Sequence, residues 1–372
     1  TGPSSLANYQ TAISAVTFSS SSDDPTATSS TRQISIQVRD ANGDGASLGQ
    51  ALSNSSGVTV TITPVNSAPV LGGAPATTPS YAEADIPTLL APDITISDID
   101  DTRLSGATVR IKSGLRQGDT LNYTAAVPAI SGSFNPDTGV LKLTGTASLA
   151  DFQTTLRSVG FFSTNTDPTG TAPTDSRTIE WRVSDADSDA AGTAISAVLQ
   201  SSITVTPRND APELSSPSTL AARFTEGDAP ITLNPNLALS DPDSTGFSSA
   251  TVWISQGFTA GDRLALPSDV GGSTHIDASW NASNGTLSLS PTPTAVPAPT
   301  LLDVLTALRA VTFVSDSHNP TATSTTRRIT WQISDNNPAN AGGPAASNQA
   351  SGSFTITPVN DAPSFTQLSG AV

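Results

Sequence analysis

The phrase Ile62-Thr63-Pro64-Val65-Asn66-Ser67-Ala68-Pro69 returns as Val205-Thr206-Pro207-Arg208-Asn209-Asp210-Ala211-Pro212 and again as Ile356-Thr357-Pro358-Val359-Asn360-Asp361-Ala362-Pro363. Its asparagines lie 143 and then 151 residues apart, so the chain is a tandem array of units that each bury a core and contact mainly their neighbours. Other elements keep the same register. Arg32 through Asp40 matches Arg177 through Asp185 and Arg327 through Asp335; Ser97-Asp98-Ile99-Asp100 matches Ser240-Asp241-Pro242-Asp243; Gly118-Asp119 matches Gly261-Asp262. Two complete repeats are expected, roughly 69–211 and 212–362. Residues 1–68 read as the back part of an earlier copy, and 363–372 as the opening of a further one. The chain has no methionine, so Thr1 reads as an internal residue of a longer polypeptide, and a neighbouring segment or another chain is expected to cover the open edge of residues 1–68.

Within each copy, hydrophobic residues alternate with period two: Ile34, Ile36, Val38; Ala107, Val109, Ile111; Ile179, Trp181, Val183; Ala250, Val252, Ile254; Ile329, Trp331, Ile333. Short alternating runs bounded by Gly, Pro, Ser and Asp predict an all-β chain of antiparallel β-sandwiches arranged end to end. One segment per copy breaks the pattern. Leu149, Phe152, Leu156 and Val159 recur at helical spacing behind Ser148, a capping residue, which predicts one short helix per repeat. Trp181, Trp253, Trp280 and Trp331 are assigned to the core, with Trp280 the one to watch as an exposed contact.

Composition limits the function. A net charge of −16 argues against nucleic acid or an anionic membrane as partner, and the absence of Cys removes thiol chemistry and disulfides. No apolar run reaches the ~20 residues needed to span a bilayer. Of 32 acids only Glu83, Glu180, Glu213 and Glu226 are glutamate. Aspartate suits turns, and its short carboxylate suits a cage around a hard cation. Enzymatic chemistry finds no support: His275 and His318 occupy unrelated places without counterparts in the other copies, and so many acids guarantee chance pairs. Asn54, Asn122, Asn281 and Asn284 begin glycosylation-type triplets, informative only if the source glycosylates them.

The recurring Asn-Asp-Ala-Pro linker resembles that of cadherin-like domains. With the following acid, Ser-Asp-x-Asp, Ala-Thr-Val, Gly-Asp, Gly-x-Leu-x-Leu, a short helix and Arg-x-Ile, it looks like the cadherin-like tandem repeats of bacterial surface adhesins and other giant extracellular proteins. That resemblance implies Ca²⁺ at the seams between domains, where six to eight oxygens must converge. For the seam at Asn209 it implies Asn209, Asp210, Asp241 and Asp243, with Glu83, Asp185 and Asp187 from the preceding repeat. The last seam would use Glu226, Asp335, Asn360 and Asp361. The first would use Asp98, Asp100 and Asp101, with Asp40 from the first copy. Ser67 replaces the linker aspartate there, so this seam is expected to bind calcium most weakly or not at all. Asx side chains and proline also end strands, so the linker could be turn chemistry alone. Asp40-Ala41-Asn42-Gly43-Asp44-Gly45 looks like the start of a calcium loop, but Ala51 stands where its closing glutamate belongs.

The expectation is therefore a non-catalytic, extracellular or cell-surface structural and adhesive segment, a calcium-stiffened rod or spacer. Its partners would be neighbouring repeats of the same longer chain, with identical chains in a fibre or layer possible and no membrane insertion. Two rivals stand: a self-assembling subunit of a filament, sheath or surface layer, and a glycan-binding module using the insert Ser268–Asn284.

Overall fold

The computed structural model describes residues 4–42, 50–170, 172–187, 191–337 and 342–363. Contacts divide the chain into two compact units. One holds Thr1–Tyr81, Ile86–Phe162 and Ser176–Ile203; the other holds Ala82–Asp85, Ser163–Asp175 and Thr204–Val372.

The second and third copies build the same all-β scaffold. In the second, a six-stranded sheet runs in the order Ser80–Ala82, Leu199–Thr206, Asp175–Asp185, Arg103–Ser113, Val140–Ser148, Ser131–Asn135. A three-stranded sheet orders Thr88–Leu89, Gly160–Ser163 and Asp119–Asn122. The third copy repeats both, with Thr219–Thr225, Ala350–Thr357, Thr326–Asp335, Phe247–Gln256, Thr286–Pro291 and Ile276–Asn281 in its larger sheet. Alternation places Val109, Ile111, Ile179 and Trp181 in one core, and Val252, Ile329, Trp331 and Phe354 in the other. Edge-on ring pairs, Tyr81 with Phe161 at 5.3 Å and Phe224 with Phe313 at 5.1 Å, join the two sheets of each copy.

A buried ion pair joins them as well. Arg177 Nε donates to Asp119 Oδ2 at 2.6 Å, and Arg327 Nε to Asp262 Oδ2 at 2.6 Å, all four side chains being fully buried. Each aspartate follows a glycine with positive φ, Gly118 at 89° and Gly261 at 98°. A side chain at Gly261 would sit 2.8 Å from the Ser317 backbone nitrogen. The Gly-Asp and Arg-x-Ile motifs are therefore two halves of one internal clamp.

Helices form where the period-3.6 pattern lies. Ser148 accepts from the Asp151 backbone N–H at the start of Leu149–Arg157, and Thr300 and Asp303 form a reciprocal capping box at the start of Leu301–Ala310. In the first copy the helix Leu6–Ser14 buries none of its residues, and the hairpin Thr31–Ile36/Ser56–Thr61 leaves Val58 51% exposed.

Three features depart from expectation. The third copy has a second helix, Ser268–Thr274, inside its insert, closed by His275 in the left-handed conformation. Trp253 and Trp280 are half-buried, Trp253 on the outer face of its sheet and Trp280 against the core cluster. Not every pairing is antiparallel: Thr219–Thr225 pairs in parallel with Ala350–Thr357. The reason is topological. The first and last strands of the copy both run from the end where the chain comes in to the end where it leaves. The acid after the first strand therefore lies beside the outgoing linker.

Candidate metal centres at the linkers

The parallel arrangement fixes the two glutamates. Glu83 N donates to Thr206 O at 3.0 Å, and Glu83 Oε2 accepts from Arg208 N at 2.9 Å. Glu226 repeats this with Thr357 O and Val359 N, both at 2.9 Å. Each glutamate thus clips the outgoing linker of its own copy.

The Ser-Asp-x-Asp turns supply the opposite wall. Asp241 Oδ1 accepts from the N–H groups of Asp243 and Ser244, and Asp243 Oδ2 accepts from Asp210 N at 3.1 Å. At the first linker Asp98 Oδ1 accepts from Asp100 N and Asp101 N, and Asp100 Oδ2 accepts from Ser67 N at 2.7 Å. In each case one carboxylate oxygen serves the backbone. The other has no donor: Asp98 Oδ2 and Asp100 Oδ1 at the first linker, and Asp241 Oδ2 and Asp243 Oδ1 at the second, are buried atoms without hydrogen-bond partners, as are Asp210 Oδ2 and the amide oxygens Asn66 Oδ1 and Asn209 Oδ1. Buried anionic oxygens left this way carry a large desolvation cost unless a cation meets them.

Asp185 and Asp335 are placed differently from the sequence reading. Asn66 Nδ2 donates to Asp185 Oδ2 at 2.9 Å, and Asn209 Nδ2 to Asp335 Oδ2 at 2.8 Å. Each aspartate therefore belongs to the linker before its own copy, not the one after it. An eleven-residue strand covers about 36 Å, so Asp175–Asp185 carries the chain back to the incoming end, and Leu199–Thr206 is needed to return it. Both aspartates are fully buried and hold their own loops too, Asp185 through Ala194 N and Asp335 through Asn337 N and Ala345 N. They orient the linker asparagine and leave its carbonyl oxygen free of donors.

The remaining predicted residues are scattered. Asp187, at positive φ, caps Gly192 N within the loop after Asp185, at the incoming end of its copy. Asp40 Oδ1 accepts from Asn42 N and Ala51 N, the same closure Asp335 makes. Asn42, Asp187 and Asn337 share positive φ. Asp40, Ala41 and Asn42 thus open the same kind of turn, and Gly43, Asp44 and Gly45 of the segment that looks like a calcium loop lie outside the described residues. Asn360 is exposed. Glu226, Asp361 and His318 each offer a ligand atom, all within 4.8 Å of one another, and Asp98, Asp100 and Asp101 do the same.

One acid escaped the sequence reading. Asp167 Oδ1 is buried without a partner, and the charge of Asp167 acts on Glu83. Its signal was present: Asx-Pro-Thr recurs at 24–26, 167–169 and 319–321. All groups at the second linker, Glu83 and Asp167 included, fall inside one compact unit, and those at the first fall inside the other.

Crowding shows in the acidities. Burial pushes Asp243 up to about 6, helped by the adjacent Asp241 carboxylate. Burial likewise raises Asp98 to about 6, with Asp100 adding to it. Glu83 is raised by burial and by the charges of Asp210, Asp243 and Asp167 against the opposing Arg208 N–H, and Asp210 by burial and Asp243. The donor sets at the first two linkers consist of oxygens alone, which fits a hard dication.

Fold and linkers together define a chain of tandem β-sandwich repeats with oxygen-rich clusters at the linkers. No known family and no curated protein matches it. Solved structures match at low similarity: Drosophila N-cadherin EC1-4 (9% identity, TM-score 0.22, 90% of this chain and 60% of that one) and the protocadherin GammaB4 extracellular domain (14%, 0.27, 87% and 38%). Protocadherin Gamma C5 EC1-3 matches with 13% identity, a TM-score of 0.30, and 88% of this chain and 78% of that one. The chain spans 60% and 38% of the first two structures, and likeness of this degree assigns no family.

Proposed function

We propose that the chain is a non-catalytic extracellular structural and adhesive segment, a calcium-stiffened rod or spacer of a large bacterial surface protein. The observation that carries this reading is the set of buried, donor-less oxygens at Asn66, Asp98 and Asp100, repeated at Asn209, Asp210, Asp241 and Asp243. Without a cation these carboxylates repel one another and the linker is free to bend. Ca²⁺ neutralises them and fixes one geometry. Affinities of about 10⁻⁴–10⁻³ M, usual for extracellular calcium modules, would keep the linkers loose inside the cell and filled outside.

Small-angle X-ray scattering of the chain in chelator and in millimolar Ca²⁺ tests this function. A longer, better-defined maximum dimension with calcium supports it; superimposable profiles refute it.

A further inference from the structure

The chain carries only two lysines, Lys112 and Lys142, and both project from one sheet face of the second copy. The register puts Arg182 and Lys142 on either side of Thr108, with Arg110 one step along the same strand. Alternation turns Val109, Ile111, Trp181 and Leu141 into the core and these four cations outward, where all are exposed. Glu180 lies among them, 3.9 Å from Lys112, and exposed Asp137 stands in the turn between Asn135 and Thr138. Among the described residues Arg110, Arg182 and Lys142 have no carboxylate within ion-pair distance. In a chain of net charge −16, four neighbouring cations, three of them without a carboxylate partner among the described residues, form a local reversal of sign.

The fold does not require this patch. At the matching positions of the third copy stand Trp253 for Arg110, Ser255 for Lys112, Ser288 for Lys142 and Gln332 for Arg182, on the same strands with the same core. Beside the cations lies an open groove of about 480 Å³, lined by Arg110, Lys142, Ser133, Asn135, Thr138 and Val140. That volume fits one or two sugar rings. Two cations can receive an anionic substituent, while hydroxyl and amide groups spaced along neighbouring strands match sugar hydroxyls.

We propose that this face binds an acidic polysaccharide, a sugar chain bearing carboxylate or sulfate groups. The groove favours it over an acidic protein surface because half of its lining is hydroxyl or amide. Repulsion from the rest of the chain is screened beyond about 8 Å at physiological salt. The inference is independent of calcium at the linkers.

The test uses the whole chain in chelator, so that no divalent ion can bridge two polyanions. Immobilised polygalacturonate, dextran sulfate, neutral dextran and polyglutamate are compared by surface plasmon resonance. Binding to polygalacturonate or dextran sulfate above both controls is expected, the stronger arm identifying the anionic group. The pair Arg110→Gln and Lys142→Ser, both exposed, should weaken it about tenfold with the melting temperature unchanged. Equal binding to dextran, tighter binding to polyglutamate, no binding at all, or unaltered binding by the double variant would each overturn the proposal.

Discussion

The first and second linkers follow one plan and differ by the exchange of a carboxylate. The second has Asp210 in the linker and Ser244 after its Asp-x-Asp turn; the first has Ser67 in the linker and Asp101 after the turn. The third acid has moved from the linker to the turn. It arrives within 4.8 Å of Asp98 and Asp100. The first linker, with Ser67 in place of the aspartate, thus still gathers three carboxylates. At the second linker Glu83 and Asp167, from the outgoing end of the second copy, join the cluster; Asp24 is the sequence counterpart of Asp167 in the first copy. A carboxylate can thus be supplied to the linker cluster from either of two neighbouring positions, the linker itself or the turn beside it.

The comparison assumes that both copies stand on the same scaffold, and the buried ion pairs test that first. Asp119→Ala and Asp262→Ala each strand a fully buried arginine, and each should cost about 3–5 kcal/mol in denaturant unfolding. Unequal costs would mean the two scaffolds differ. Next in size, Asp335→Ala and Asp185→Ala remove the group that orients the linker asparagine. Calcium affinity at the second and first linkers should fall about 10–100-fold, as it does when outer partners of a metal ligand are lost. A single-site change in titration would confirm that each aspartate serves the linker before its copy.

The exchange itself is probed by Ser67→Asp, which should tighten the first site several-fold, and by Asp101→Ser, which should weaken it by a similar factor. No response to either would break the equivalence drawn between Asp101 and Asp210. The smallest effect is that of pH. Asp98 and Asp243 hold their protons more tightly folded than unfolded, each rising from 3.8 to about 6. The contribution of these two groups to metal-free stability is thus fully present below about pH 4 and is lost as pH rises through 6. Protons compete with the cation over the same range, so calcium affinity should drop as pH falls below 6. Thermal melts in chelator and in calcium should therefore move in opposite directions on acidification.

Much of this was legible in the sequence because its causes are local. Period two put Trp181 and Trp331 inside, and Ser148 announced its helix. The linker phrase located Asn209 and Asp210 among the orphaned oxygens. What escaped depends on long-range geometry. Arg177 and Asp119 are 58 residues apart, and nothing near either indicates that they meet. The resemblance placed Asp185 at the following linker; the strand Leu199–Thr206, rich in Ser and Thr and carrying little alternation, comes after it, and one strand more reverses the end at which a loop lies. The helix Ser268–Thr274 contains Gly271 and Gly272, poor helix formers, so local preference pointed elsewhere.

The claim that cations occupy the linkers is tested most directly by calorimetric titration of the chelated chain with Ca²⁺, beside Asp98→Asn/Asp243→Asn. The account predicts saturable heat from more than one ion per chain, with dissociation constants of about 10⁻⁴–10⁻³ M, and a marked loss in the double variant. No saturable heat at several-fold higher calcium, or an identical isotherm for the variant, would contradict it.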